Sequence, residues 1–116
     1  MGELRNYTPH KVLTYRPDDG EPVVLPQRGN VRLVEQFDDG GLLPNGRPLT
    51  LLSYGLADGL PEATAGVVFV VSQLVVGAHP EREDLVFPAG LVRNDEGDIV
   101  GFRYLARPGA GAVRQV

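Results

Sequence analysis

The stretch Gly66-Val67-Val68-Phe69-Val70-Val71, followed at once by Ser72-Gln73-Leu74-Val75-Val76-Gly77-Ala78-His79-Pro80, decides the fold class. Five consecutive β-branched or aromatic residues leave no polar face, so this strand belongs at the centre of a sheet with both sides covered. Ser72 stands where a short helix needs a cap, Leu74, Val75 and Ala78 are spaced to face the sheet, and Pro80 ends the helix.

Turn chemistry sets the boundaries on either side. Lys11 to Arg16 reads as a strand closed by Pro17-Asp18-Asp19-Gly20, a turn in which proline presets one dihedral and glycine accepts a positive one. Val23-Val24-Leu25 returns as its hairpin partner. After Pro26 and the Arg28-Gly29-Asn30 turn, Val31 to Phe37 alternates with Val31, Leu33 and Phe37 on one face, interrupted by Glu35. Residues 38 to 48 hold Gly40-Gly41, Pro44, Asn45-Gly46 and Pro48, a density of breakers that predicts an exposed loop. Leu49 to Tyr54 is the next strand, and Gly55 to Thr64 a second loop. Asp84 to Phe87 is a short strand before Pro88. A last hairpin pairs Leu91-Val92-Arg93 with Ile99 to Leu105 across Asn94-Asp95-Glu96-Gly97, a type I turn closed by a left-handed glycine.

This pattern predicts a strand-dominated α+β fold: a curled antiparallel or mixed sheet, or open barrel, of about seven strands with one short helix after the central strand. The 116 residues form one domain, with a folded core over 5–107 and a flexible Gly/Ala-rich tail over 108–116.

Composition removes several function classes. With 42% hydrophobic and 22% charged residues the chain reads as a soluble globular protein, and no apolar run approaches a membrane span. No apolar segment follows the initial charges, as a secretory signal would require. There are no cysteines, which removes disulfides and thiolate sites and fits a cytoplasmic location. The net charge of −4 disfavours nucleic acid as a partner. The basic set is ten arginines and Lys11, a bias that a GC-rich gene explains and that anion recognition also suits.

No catalytic signature emerges, and neither a metal site nor a cofactor is expected. His10 and His79 are the only histidines, without metal-ligand spacing. His10 reads as a strand-edge residue ordering the N-terminus, and His79 as a helix cap. Ser72 lacks the small neighbours of a nucleophile elbow. Within Pro80-Glu81-Arg82-Glu83-Asp84, Arg82 is placed to be held by Asp84. Arg5, Arg28, Arg32 and Arg82, grouped near His10 and a tyrosine such as Tyr7, are the candidate ligand-binding residues, because guanidinium forks grip anions and a tyrosine ring offers a flat wall.

The segment Asn6-Tyr7-Thr8-Pro9-His10, the later Pro26-Gln27-Arg28-Gly29 turn and Arg32, the Val71-Ser72-x-Leu74-Val75 junction, Glu81-Arg82-x-Asp84-Leu85 and Asp95-Glu96-Gly97-x-Ile99-Val100-Gly101 together resemble small uncharacterised proteins of phages, prophages and actinobacteria. The similarity covers residues 5 to 105 and implies kinship without an activity. Three expectations follow. The first is a non-catalytic protein, phage-related and oligomeric, that captures an anionic or nucleotide-like small molecule. The second is a structural, assembly or protein-interaction protein using strand edges and the C-terminal tail. A hydrolytic enzyme using His10 stands third.

Overall fold

In the computed structural model, which describes residues 2–109, the elements run β1 (Glu3–Asn6), β2 (Val12–Tyr15), β3 (Val23–Pro26), β4 (Arg32–Leu42), β5 (Pro48–Asp58), β6 (Val67–Val70), α1 (Gln73–Ala78), β7 (Leu85–Arg93) and β8 (Ile99–Ala106). Six strands make one mixed sheet in the order β1-β6-β7-β8-β2-β3. A bridge between Asn6 and Gln27 draws its two ends together, so the sheet curls into a nearly closed barrel. β4 and β5 stand apart as a two-stranded antiparallel arm. No described helix is long and apolar enough to cross a membrane. The expected tail lies, from residue 110 onward, outside the described residues.

β6 is the central strand that its sequence demands. It runs parallel to β1 on one side and β7 on the other. Its side chains alternate between two cores, as the period of two requires. Val67, Phe69 and the following Val71 join Val31, Val75, Val76 and Leu85. Val70 turns the other way, onto Leu13, Leu25 and Phe102. Tyr15 stacks on Phe102 with ring centroids 5.2 Å apart, extending that second core. The first core is roofed by α1 and by the root of the arm, which contributes Leu33 and Ala57.

Several local expectations need correction. Leu74 and Ala78 do not face the sheet: Leu74 is 57% exposed, while Val75 and Val76 are buried. A six-residue helix is under two turns long, so the way the chain leaves β6 sets its inward side. Ser72 does cap it, its Oγ accepting from the Val75 N–H at 3.4 Å. The two pieces expected at 84–87 and 91–93 are one strand, β7, running through Pro88. Only Leu85 and Val86 of β7 pair with β6, so Pro88 sits where one edge of the strand is free. The 94–97 turn is as expected, with Gly97 at φ 86° and the Asn94 side chain accepting from Glu96 and Asp98. Gly20, by contrast, does not adopt a positive φ. β1, with no counterpart in the sequence reading, is recruited by its parallel pairing to β6.

Candidate functional site

The Asn6-to-His10 segment and the Pro26-to-Gly29 turn, far apart in sequence, meet where the barrel closes. Asn6 is fully buried, and its Nδ2 donates to the carbonyls of His10 and Leu25, both at 3.0 Å. Its Oδ1 accepts from the Thr8 N–H at 2.9 Å and the Thr8 hydroxyl at 2.6 Å. Gln27 donates to the Thr8 carbonyl at 2.7 Å, and the Arg28 N–H donates to the Asn6 carbonyl at 2.8 Å. Tyr7 meets Phe69 edge-on at 5.3 Å and packs against Gly29, where a Cβ would come within 2.5 Å of the ring. These residues form a latch between β1 and β3. The latch also anchors the arm, because the Tyr7 carbonyl accepts from the Val31 N–H immediately before β4.

The candidate ligand residues are dispersed around this latch. Arg5 is gripped by Glu3, with Nε–Oε2 at 2.7 Å, and Arg28 lies 3.7 Å from the same carboxylate. The hydrogen bond from Arg5 holds the Glu3 carboxyl below its ordinary value. Arg82 is held by Asp84 as expected, through a fork of 2.7 and 2.8 Å, and that fork lowers the Asp84 pKa. His10 contributes backbone to the latch and also lines a separate cleft with Lys11, Val12, Arg93 and Asp98. Arg28 borders another, with Glu3 and Val24. Arg32 borders a third, with Leu33, Tyr54, Ser72 and Leu74. His10, Arg28 and Arg32 therefore border three different clefts, and the forks of Arg5 and Arg82 are already filled by carboxylates of the chain. His79 caps α1 with its backbone N–H on the Val76 carbonyl, and its Nδ1 lies 3.1 Å from Glu81.

The feature that the sequence reading missed is the arm. Residues 38 to 48 are not an open loop: β4 continues to Leu42, β5 starts at Pro48, and β5 also extends through the second expected loop to Asp58. Gly41, at φ 81°, sits in the ladder irregularity between Asp39 and Leu42, so this breaker bends the strand without ending it. The turn at the tip is closed by the Leu43 N–H on the Arg47 carbonyl and the Gly46 N–H on the Leu43 carbonyl.

Across the arm, paired residues share a face. One face carries Glu35 with Tyr54, Phe37 with Leu52 and Asp39 with Thr50. The other carries Gln36 with Ser53 and Asp38 with Leu51. No residue of β4 or β5 is buried. Nine large apolar residues between Val34 and Leu56 are exposed, among them Phe37 at 65%, Leu42 at 72% and Leu56 at 81%. At its root the apolar strip runs into a cleft of about 690 Å³ between the arm and α1, lined by Leu33, Tyr54, Leu74, Phe87 and Arg107. The arm stretches the molecule to 55 × 36 × 29 Å, with a radius of gyration of 16.9 Å. A compact chain of this size has roughly 13 Å.

The chain matches no known protein family, no curated protein and no solved structure in the comparisons made.

Proposed function

We propose that this chain is an assembly protein, in which the latched barrel is the platform and the β4–β5 arm is the surface that engages another protein. The single observation carrying this reading is the exposure of both faces of the arm. At roughly 150–250 Å² for a fully exposed large side chain, the nine apolar residues present on the order of 900 Å². Divided between two faces this is on the order of 450 Å² each, as large as the main apolar patch of about 300–600 Å² on an ordinary monomer, and the arm carries it twice. A two-stranded hairpin alone in water is marginally stable, and its unpaired edges invite pairing with another chain. A covered arm removes both problems.

Capture of an anionic small molecule is the weaker reading, because it needs the arginines to converge and they border separate clefts. The assembly reading is tested by placing a photo-crosslinking residue at position 37 or 52, with position 21 as an exposed control on the barrel side. Cells expressing these variants should yield protein adducts from the arm positions and few from the control. An arm that yields no adducts above the control overturns the reading.

A further inference from the structure

Resting on the assembly reading, we infer that the partner of the arm is a second copy of this chain, seated in a two-fold exchange with each arm lying over the other copy's root cleft. The first support is area. A standard protein interface buries about 800 Å² per partner; one face of the arm offers on the order of 450 Å² of apolar surface, and in the exchange each copy also buries its own root cleft. The chain also carries the matching seat. The cleft at the arm root is lined by Leu33, Tyr54, Leu74 and Phe87, and the neighbouring cleft repeats Leu33, Tyr54 and Leu74. Leu74, turned outward on α1, sits in both.

The second support is charge. Two cations border this seat, Arg32 in one cleft and Arg107 in the other, against the single carboxylate of Glu35 beside Arg32. Neither makes an ion pair with another described residue, although the ladder sets Arg32 opposite Asp58. Further out along the arm, on the face that carries Phe37 and Tyr54, stands Asp39, exposed and equally without an ion pair among the described residues, while Asp38 lies on the opposite face. One chain cannot bring these groups together, because the ladder holds the Asp39 carboxylate away from the root. Two copies with their arms antiparallel can, because the outer half of one arm then passes the root of the other. A two-fold axis makes the contact twice, and the assembly closes as a dimer.

The experiment is a charge-exchange pair read by light scattering and sedimentation. The parent should run at twice its 12.5 kDa chain mass. Arg32→Glu/Arg107→Glu and Asp39→Arg should each weaken dimerisation by at least about tenfold, through like-charge contacts made twice. Mixed in equal amounts they should re-form a dimer of one chain of each, since both contacts are then between opposite charges. All three positions are exposed, and a melting curve like the parent's verifies that each variant folds. A parent that stays monomeric across a concentration series, or a mixture that fails to re-form the dimer, overturns the inference. A chain ending at Gly109 should dimerise as the parent does, and loss there would assign the seat to residues 110–116 instead. The two readings fail separately: arm crosslinks to a different protein with a monomeric parent would leave the assembly reading standing and remove the second copy.

Discussion

Two phenylalanines in neighbouring halves of the molecule define its two regimes. Phe69 on β6 is 1% exposed and packs among valines on the central strand. Phe37 on β4 is 65% exposed and meets Leu52 across a ladder with no third strand. Both sit in extended backbone with an apolar partner, so local conformation does not separate them. The difference is cover. β6 has a strand on each edge and a core on each face, whereas the arm has neither. Burial stabilises the barrel within one chain, and the same chemistry on the arm stays exposed.

Substitution can break this contrast at its strongest point. Phe69→Ala should destabilise the fold by roughly 3–5 kcal/mol, read by chemical denaturation, because it removes a filled core volume that neighbours cannot fully reclaim. A loss below about 1 kcal/mol would mean that β6 is not the centre of the core.

The latch is the next largest effect. Asn6→Ala leaves the His10 and Leu25 carbonyls and the Thr8 hydroxyl without their partner in a buried place. At about 1–3 kcal/mol for an unsatisfied buried group, a loss of about 2–4 kcal/mol is expected. Because the latch also anchors the arm root through Tyr7 and Val31, hydrogen exchange should speed up at Val31 together with β1 and β3. Acceleration confined to the barrel would separate latch from arm.

A smaller effect depends on pH. The fork from Arg82 holds the Asp84 carboxyl below its ordinary value of about 3.9. A carboxyl with a lowered folded pKa contributes its full stability above the unfolded value and loses it as pH falls through the folded one. Stability should therefore be insensitive to this pair at neutral pH and decline below about pH 4, and Asp84→Asn should flatten part of that decline in acid melts. An unchanged acid profile would remove the pair from the account.

The smallest effect on stability sharpens the comparison most. Phe37→Ala should change the unfolding free energy of the separated chain by no more than about 0.5 kcal/mol, as surface substitutions do. It should nevertheless weaken self-association measured by sedimentation. A Phe37→Ala variant as damaged as Phe69→Ala would show that the arm is part of the folding core.

Some of this architecture is legible in local chemistry. The Val67-to-Val71 run has no polar face, so its double cover follows whichever elements supply it. Ser72 and the 94–97 turn are equally legible, because a cap and a left-handed glycine are satisfied within a few residues. The arm is not, since Gly40, Gly41 and Asn45 break strands in isolation yet here form a bend and a tip between two long paired strands. The same holds for the candidate site. Arg82 and Asp84 are two residues apart, and their pairing is visible in the sequence. Whether Arg5, Arg28 and Arg32 converge depends on barrel closure, which sets them against Glu3 or at the arm root instead of around one pocket.

The sequence by itself determined the strand-dominated class, the central strand and its capped helix, because those rest on hydrophobic period and on hydrogen bonds closed within a turn. Only the tertiary structure decided that Asn6, Thr8 and Gln27 form one latch, that α1 turns Leu74 outward, and that residues 32–58 leave the barrel as an arm. The latch and the arm depend on pairing between residues far apart in the chain, and the turn of α1 on how the chain leaves a strand held by such pairing, so no local pattern carries those positions.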